Sequence, residues 1–374
     1  MANPVKYHYG KFPPENLDWK RLNKLVGQAN SALGRYDGLL YAIPNVDVLL
    51  SPLITQEAVL SSKIEGTNVT MGEVLEIQAG GDSKNISQSK KDDSEEVINY
   101  RYALMKSANE TRDRPISQHL IRQAHSILMQ GVRGRDKLPG QYRNDQNWIG
   151  EHGCPIEEAS FIPISPEQLV PGMDNLEKYI NSSHDIDLLL KLAIIHVEFE
   201  ALHPFRDGNG RLGRMLIPLF LYEKKLLSSP NFYLSSYLEK NREVYVETLR
   251  AVSSKDDWTG WCEFFIQGIC EQSQENEKKA RLILALYDNI KGKIVNVTHS
   301  QHAIKALDYI YENPIFSGKD FSDKSNIPKP TAARILTILK DEEIVKIIRE
   351  SSGRRPALYV FPDLLNFAEG KGIF

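Results

Sequence analysis

The stretch His203-Pro204-Phe205-Arg206-Asp207-Gly208-Asn209-Gly210-Arg211-Leu212-Gly213-Arg214 separates two strongly apolar segments of the chain. Before it, Leu192, Ile195 and Phe199 recur at intervals of three or four residues, which predicts a helix that ends where the stretch begins. After it, residues 215–222 are again apolar and predict a second helix. We therefore expect a loop and a first helical turn, held between two buried helices.

The residue types in this stretch suit chemistry at a phosphate group. His203 at a helix end, with an expected pKa near neutral, is a natural general base, and Asp207 can bind Mg²⁺, which takes one or two carboxylates together with phosphate oxygens. Gly208-Asn209-Gly210 has no Cβ at two of three positions, so that consecutive N–H groups can converge on an anion. Arg211 and Arg214 share a helix face, and their guanidinium groups fit phosphate oxygens. Together these residues predict phosphoryl or nucleotidyl transfer.

In this order the residues match the full signature of Fic-domain proteins, His-Pro-Phe-x-Asp-Gly-Asn-Gly-Arg-x-x-Arg, without a departure. The chain thus resembles the protein adenylyltransferases of that family. The resemblance implies that His203 takes the proton from a target Ser, Thr or Tyr hydroxyl, which attacks the α-phosphorus of ATP. It implies that Asp207 holds Mg²⁺, that Arg211 orders the loop and the phosphates, and that Arg214 grips the γ-phosphate. The implied ATP-binding segment consists of Gly208, Asn209, Gly210, Arg211, Leu212, Gly213 and Arg214.

The regions around the signature also resemble the family. Residues 146–150 through 161–163 are similar to its flap hairpin, whose edge at Trp148, Ile149 and Gly150 would align the target backbone as an added strand. Tyr245 matches an aromatic residue of the adenine pocket, and Asn241 is a second candidate there. The partner implied is a target protein.

The segment Ser61-Ser62-Lys63-Ile64-Glu65-Gly66 resembles the inhibitory motif of autoinhibited Fic proteins. Ser61 and Glu65 lie one helical turn apart. The resemblance implies that the Glu65 carboxylate pairs with Arg214 and occupies the place of the γ-phosphate, so that ATP binds out of line for attack. The competing explanation is an exposed glutamate at a helix end. Glu65 could also position a water for the removal of AMP, and the sequence leaves this open.

Composition bounds the class of protein. The chain has 374 residues, 41% of them hydrophobic and 25% charged, which predicts a soluble protein of two or three domains. Its formal net charge of −3 provides no overall electrostatic field that would attract nucleic acid or an anionic membrane. The polar N-terminus does not match a signal peptide, and residues 188–197 are too short to cross a bilayer. Three cysteines without metal-binding spacing, Cys154, Cys262 and Cys270, favour a cytoplasmic protein with reduced thiols.

The helical patterns predict a mainly α architecture. We expect an N-terminal helical region over 1–94 with the inhibitory helix, a Fic-type catalytic core over 95–270 with a short β-hairpin flap, a connecting helix over 271–297, and a winged helix over 298–374. Residues 80–96 are rich in Gly, Ser, Lys and Asp and predict an exposed loop. A homodimer is left open.

The C-terminal pattern is that of a winged helix, a fold that often binds DNA. Lys329, Arg334 and Lys340 fall on or near its second helix, and Arg354 and Arg355 would lie in the wing. Residues 298–374 nevertheless contain 11 Lys and Arg against 10 Asp and Glu, so the basic surface expected of a dedicated DNA-binding domain is missing. A role of this region in docking another protein is therefore favoured at least as well as DNA binding.

Three other functions compete with AMP transfer. A winged-helix transcriptional regulator would use the upstream domain only to sense ATP. A metal-dependent hydrolase could be built on His196, Glu200 and His203, but a His-Glu-x-x-His pattern is lacking. A Fic-fold transferase of another phosphate-containing group is the nearest alternative, and the intact motif with Asp207 for Mg²⁺ favours nucleotide use over it.

Overall fold

The computed structural model describes residues 4–80, 86–131, 135–151, 153–183, 186–353, 355–370 and 372. They form two compact units. Unit 1 contains Met1–Gly38, Leu60–Gly66 and Asn99–Gln274, and unit 2 contains Leu39–Val59, Thr67–Ile98 and Glu275–Phe374.

Most of the described chain is helical, which confirms the prediction of a mainly α protein. The helices are α1 Trp19–Ala42, α2 Val46–Leu49, α3 Ser51–Ile64, α4 Met71–Gln78, α5 Gln88–Glu110, α6 Gln118–Leu128, α7 Pro166–Asn181, α8 Leu188–Leu202, α9 Asn209–Glu223, α10 Ser235–Lys240, α11 Arg242–Lys255, α12 Trp258–Thr298, α13 Ala303–Glu312, α14 Gly318–Lys324, α15 Lys329–Asp341 and α16 Pro362–Glu369. The strands are β1 Val5–Lys6, β2 Phe161–Ile162, β3 Ile315–Ser317, β4 Lys346–Arg349 and β5 Leu358–Val360.

Helix α8 is the central helix of unit 1. It is apolar around its whole circumference and almost every side chain from Leu189 to Leu202 is buried, as expected for a helix with neighbours on all sides. It packs against α7 and α9, and α6 in turn packs against both of these helices. Trp261 from α12 closes one side, where its indole N–H donates to the carbonyl of Ala193 at 2.7 Å. This packing fixes the C-terminal end of α8.

The N-terminal segment is anchored on the same central helix. Strand β1 pairs in parallel with β2, and the next two residues bind the Glu198 carboxylate of α8. The Tyr7 hydroxyl donates to Glu198 Oε1 at 2.6 Å, and His8 Nε2 lies 2.8 Å from Glu198 Oε2. His8 Nδ1 lies 2.7 Å from the hydroxyl of Ser253 on α11. One buried polar cluster thus joins the N-terminal segment to two helices of unit 1.

Unit 2 contains a three-stranded antiparallel sheet with the order β3-β5-β4. Along the chain its elements follow as α13, β3, α14, α15, β4 and β5. Aromatic side chains fill its core: Phe316 is buried, stacks on Tyr359 of the neighbouring strand, and packs with Phe321 of α14. A further helix, α16, follows the sheet.

Two sequence-based expectations about secondary structure need correction. The loop expected over residues 80–96 is wrong for residues 88–96, which are the first part of α5; residues 81–85 lie outside the described part of the chain. The polar residues there are used within unit 2, since the buried Asp93 carboxylate accepts the backbone N–H of Asn68 at 2.9 Å. The connecting helix expected over 271–297 is not separate, because α12 runs from Trp258 to Thr298 without a break.

Within the described ranges, no helix combines the length and apolar character needed to span a membrane.

Replacement of His8 tests the anchor of the N-terminal segment. We expect His8→Ala to lower the free energy of unfolding by about 1–3 kcal/mol, because the buried Glu198 carboxylate loses a partner. Lys11→Ala is the control: Lys11 pairs with Asp256 at 3.5 Å on an exposed surface, and its loss should change stability by less than about 0.5 kcal/mol. Thermal unfolding measures both, and equal shifts in the two variants would contradict the anchor.

Candidate active site

The loop after α8 is built by two backbone positions with positive φ. His203 is the C-cap residue directly after α8 and adopts a left-handed conformation with φ 45°, and the following Pro204 prevents the helix from continuing. Gly208 precedes α9 with φ 76°, a conformation that favours glycine. Between them, the Asn209 side chain closes the loop, since it accepts the N–H of Phe205 at 2.8 Å and donates to the Phe205 carbonyl at 2.9 Å.

Side chains from outside the signature hold this loop in place, and the sequence did not reveal them. The buried Arg143 guanidinium donates to the His203 carbonyl at 2.9 Å and also to the carbonyls of Asp145, Ile164 and Leu202. The Asn147 amide donates to the Phe205 carbonyl at 3.1 Å.

His125 supports the same loop from α6. Its ring stacks on Phe205 with centroids 3.7 Å apart, and its Nε2 lies 3.0 Å from the Asp207 carbonyl. Burial lowers the pKa of His125 to about 4, so the ring is neutral at pH 7. Arg143, Asn147 and His125 carry no spacing signal relative to the signature, so only the fold reveals them.

His203 lines the cleft as a neutral imidazole. Its Nδ1 lies 3.3 Å from the Glu200 carbonyl, and an acceptor there favours the tautomer with the proton on Nδ1. Burial is the main cause that lowers its pKa to about 4, although Glu65 and Asp207 oppose the shift. The expectation of a near-neutral pKa is therefore wrong for this closed cleft. At pH 7 the Nε2 atom is unprotonated and can accept a proton.

The cleft has a volume of about 220 Å³ and combines apolar walls with a charged end. Its apolar lining includes Ile149, Phe161, Val197, Ala201, Val246 and Leu249. Its charged or titratable lining residues, besides Tyr245, are Glu65, Glu200, His203, Arg214, Arg242 and Arg250. Tyr245, the residue that the family resemblance assigned to the adenine pocket, belongs to this lining. Asn241 is placed differently: its side-chain amide donates to the Tyr237 carbonyl at 2.9 Å and is not brought into the lining.

The N-terminal turn of α9 provides the expected anion site in part. The backbone N–H groups of Gly208-Asn209-Gly210 lie at the N-terminus of α9, a helix of fifteen residues. The Asp207 side chain is 47% exposed, accepts the Gly208 N–H at 2.6 Å, and lies 3.5 Å from Arg211. Two members of the expected binding segment have other roles, since Leu212 is fully buried in the core and Gly213 lies against the Glu200 carboxyl group.

Arg214 is bound by the end of α3. Its guanidinium is 2% exposed and donates to Ser61 Oγ at 2.9 Å, to the Ser61 carbonyl at 2.8 Å, and to Glu65 Oε1 at 2.6 Å. Gly210 permits this approach, because a Cβ at residue 210 would collide with the Glu65 carboxylate. The structure thus brings Ser61 and Glu65 to Arg214, as the inhibitory motif implied.

Electrostatics reinforce this ion pair. Burial alone would raise the pKa of Glu65, but the charge and the hydrogen bond of Arg214, with a smaller contribution from Arg211, outweigh it, and the net result is a lowered pKa. Burial acts on Arg214 in the opposite sense and lowers its pKa, while Glu65 raises it more. Glu65 is therefore ionised at neutral pH, and the pair weakens only as the pH falls through that lowered pKa.

The expected flap hairpin is reduced to one bridge. Ile149 donates its N–H to the Phe161 carbonyl at 2.9 Å and accepts the Phe161 N–H at 3.1 Å. Since backbone groups alternate along a strand, those of Trp148 and Gly150 point away from Phe161. The Trp148 and Ile149 side chains are 42% and 38% exposed. Residues 148–150, the predicted docking edge, thus form a short extended segment.

The residues of the alternative metal site point elsewhere. His196 Nε2 lies 2.8 Å from the Tyr245 hydroxyl, its Nδ1 lies 3.3 Å from the Gly213 carbonyl, and burial lowers its pKa to about 3. Its distance to Glu200 Oε1 is 4.0 Å. In the part of the chain that the structure describes, no group of three or more His, Cys, Asp or Glu side chains is arranged to hold a metal ion.

The family models described as "Fic/DOC family N-terminal" and "Fic/DOC family" match residues 23–109 and 115–221 of the chain. A probable protein adenylyltransferase of Aquifex aeolicus is 30% identical over 216 residues, which cover 55% of this chain and 58% of the relative. Protein adenylyltransferase Fic of Drosophila erecta is 28% identical over 224 residues, which cover 55% of this chain and 39% of the relative. The chain therefore matches only part of the length of these relatives.

Solved structures share the fold. A Fic family protein from Desulfovibrio desulfuricans G20 superposes with a TM-score of 0.57 at 20% identity, over 93% of this chain and 98% of that chain. Fic-1 from Caenorhabditis elegans, residues 134–508, superposes with a TM-score of 0.51 at 19% identity, over 71% of this chain and 73% of that chain. At these identities the likeness establishes the fold alone.

Asn209→Ala tests how the loop is closed. The substitution leaves the buried N–H and carbonyl of Phe205 without their side-chain partner, so we expect a loss of about 1–3 kcal/mol in the free energy of unfolding. Asn144→Ala is the control, because Asn144 is exposed and only accepts a 3.3 Å hydrogen bond from Arg206. Chemical denaturation should separate the two variants, and a stable Asn209→Ala protein would contradict the role of this side chain.

Proposed function

The chain belongs to the Fic/DOC family, and on this premise we propose that it transfers AMP from ATP to Ser, Thr or Tyr hydroxyls of a target protein under restraint by Glu65. The observation that carries the proposal is the neutral His203, whose cleft also contains the Arg214 guanidinium and the N-terminal turn of α9. The names of the Aquifex and Drosophila relatives support the same reaction.

In the proposed reaction, His203 Nε2 accepts the proton of the target hydroxyl as its oxygen attacks the α-phosphorus of ATP. A bond forms between that oxygen and phosphorus, the bond between the α-phosphorus and the bridging oxygen to the β-phosphate breaks, and pyrophosphate leaves. The backbone N–H groups of residues 208–210 stabilise the phosphate oxygens. Arg214 binds the γ-phosphate, and Arg211 orders the loop. Tyr245 and the apolar walls of the cleft are suited to the adenine base.

Asp207 fits the role of a Mg²⁺ ligand. Its carboxylate is half-exposed beside the N-terminal turn of α9, and Mg²⁺ is usually held by one or two carboxylates together with substrate phosphates. When bound, the ion neutralises charge on the α- and β-phosphates. The single carboxylate on this loop is sufficient if ATP supplies the remaining oxygen ligands.

The proposed restraint acts through competition for Arg214. In the resting protein the guanidinium is occupied by Glu65 and Ser61, so ATP cannot place its γ-phosphate there without displacing a carboxylate. We propose that ATP then binds with its α-phosphorus out of line with the attacking hydroxyl. As a second activity of the same carboxylate, we propose that Glu65 positions a water for the removal of AMP.

The target protein would dock at the flap. The backbone groups of Trp148 and Gly150 point away from Phe161, which suits pairing with an extended segment of the target. Recognition of this kind reads backbone more than side chains, so target choice would depend on other surfaces. ATP, Mg²⁺ and the reduced cysteines are all compatible with the cytoplasm, which we propose as the location of the protein.

The C-terminal elements from α13 to β5 have the order of a winged helix, and we propose that they dock protein and not DNA. Basic residues on α15 are engaged by nearby groups: Lys329 pairs with Asp323 at 2.8 Å, Lys340 lies 3.5 Å from Asp341, and Arg334 donates to the Thr298 carbonyl at 3.0 Å. Arg355 lies at the turn after β4, and Arg354 lies outside the described residues.

Two alternatives remain distinct proposals. Transfer of another phosphate-containing group would use the same His203, whereas an ATP-sensing transcriptional regulator would bind ATP without covalent transfer. The complete phosphate-binding signature favours ATP as donor. The fate of the label in the next experiment separates AMP transfer from both alternatives.

Glu65→Gly should increase the transfer of label from α-labelled ATP to protein, including the enzyme itself, by about tenfold or more, since a restraint of about 1.4 kcal/mol amounts to a factor of ten. His203→Ala should abolish it, and γ-labelled ATP should leave no label on protein. Lys63→Gly is the matched control, because it loosens the same helix end while Lys63 pairs with Glu239. Equal transfer by wild type and Glu65→Gly would contradict the restraint, and label from the γ-phosphate would contradict AMP transfer.

For the C-terminal elements we expect no shift of duplex DNA in a gel at about 0.15 M salt, because the lysines on α15 are paired with carboxylates. A shift at this salt concentration that weakens as salt rises would reverse the preference for protein docking.

A further inference from the structure

The Glu200 carboxyl lines the cleft but has no part in the proposed chemistry. It lies three residues before His203 on α8 and shares the cleft with Glu65 and Arg214. Its side chain is 12% exposed, and its Oε1 atom has no hydrogen-bond partner among the described residues. A buried carboxyl oxygen without a donor costs stability, so its position calls for a physical reason.

The surroundings of Glu200 contain two opposed charges. Burial raises its pKa to about 7, the Arg214 guanidinium acts against this shift, and the Glu65 carboxylate adds to it. From α8 itself, His196 Nε2 faces Glu200 Oε1 at 4.0 Å and is neutral. On the α9 side, a Cβ at Gly213 would collide with Oε1, so glycine is what allows the carboxyl to lie there. The Arg214 guanidinium is thus ion-paired with Glu65, while its charge also acts on the Glu200 carboxyl in the same cleft.

We propose that Glu200 is the positioning residue that becomes the ion-pair partner of Arg214 when Glu65 withdraws. The hydrogen bonds from the guanidinium to Ser61 and Glu65 all depend on the end of α3. The Tyr245 hydroxyl also lies beside it, but burial raises the pKa of that hydroxyl and keeps it neutral. A guanidinium that is 2% exposed needs a counter-charge. Glu200 is the other carboxyl in the described lining of the cleft.

In the proposed exchange of partners, the protonation state of Glu200 changes when Glu65 leaves Arg214. Burial, with a smaller contribution from the negative charge of Glu65, raises the pKa of Glu200 to about 7 and holds it partly protonated at neutral pH. When Glu65 leaves, its repulsion ends and Arg214 still favours the charged form, so the pKa of Glu200 falls and a larger fraction of the carboxyl ionises at neutral pH. Arg214 then keeps its orientation toward the cleft. On the premise of the proposed function, this orientation is the one that receives the γ-phosphate of ATP.

A double-mutant cycle on thermal unfolding without nucleotide tests the pairing. Glu65→Gln and Glu200→Gln each remove one carboxylate without changing side-chain length, and each leaves Arg214 with the other. We expect small shifts in Tm for the single variants and a drop in the double variant that exceeds their sum by about 5 °C or more, since a buried guanidinium without a counter-charge is strongly destabilising. Additive shifts would overturn the proposal.

Glu198→Gln is the matched control. Glu198 is buried two residues earlier on α8, but its partners are Tyr7 and His8. Its combination with Glu65→Gln should be additive even if Glu198→Gln itself is destabilising. A coupling of equal size with Glu65 would mean that α8 responds as a whole, and that result would overturn the specific role of Glu200.

Nucleotide affinity gives a readout that a merely structural role would not move. Relative to Glu65→Gln, the double variant Glu65→Gln, Glu200→Gln should bind ATP about tenfold more weakly and ADP equally well, because Arg214 addresses the γ-phosphate alone. An equal loss for ATP and ADP would overturn the proposal. If Glu65→Gln bound no ATP, the proposed function would fail, while the unfolding cycle would still decide the pairing of Glu200 with Arg214.

Discussion

A permanently charged guanidinium buried beside the catalytic loop is the constraint on which the cleft depends. Arg214 cannot lose its proton at any relevant pH, and at 2% exposure it cannot be solvated by water. Every arrangement of the cleft must therefore supply it with negative charge. In the structure Glu65 supplies that charge from the end of α3, and an ATP phosphate could supply it in turn. In the proposed function, the Glu65 carboxylate and the ATP phosphate thus compete for the same guanidinium.

The rest of unit 1 holds this guanidinium and His203 at fixed positions. Helix α8 is packed on all sides and ends at His203, while α9 begins immediately after the loop and carries Arg214 on its second turn. Arg143 and His125 bind the intervening backbone from outside the signature. The loop is thus held by buried hydrogen bonds, and in the proposed restraint it is Glu65 at the end of α3 that gives way to ATP.

The sequence predicted the site better than it predicted the elements around it. Residues 203–214 form a loop and helix start because His203-Pro204 ends one helix and Gly208 permits a left-handed turn, and these are local signals. The contact of Glu65 with Arg214 followed from a motif, although the two residues are 149 positions apart. Arg143 could not be found, since its role arises from packing between segments distant in sequence.

The two features that the sequence misjudged, the structure of residues 88–96 and the pKa of His203, have the same explanation. Residues 88–96 are too polar to show helical periodicity, yet their helix is stabilised by contacts such as that between Asp93 and the Asn68 backbone. The near-neutral pKa expected for His203 ignored burial, which lowers it to about 4. The local sequence pattern therefore determines where the candidate site residues lie, and tertiary contacts determine their charge states.

The central claim is that occupation of Arg214 by Glu65 decides where the α-phosphorus of ATP lies. Crystal structures of wild type and Glu65→Gly with a non-hydrolysable ATP analogue test it most directly. The account predicts that in Glu65→Gly the α-phosphorus lies about 3–3.5 Å from a hydroxyl oxygen hydrogen-bonded to His203 Nε2, and that in wild type it is displaced by about 1 Å or more. The same phosphorus position in both proteins, with Glu65 still bound to Arg214 in wild type, would contradict it.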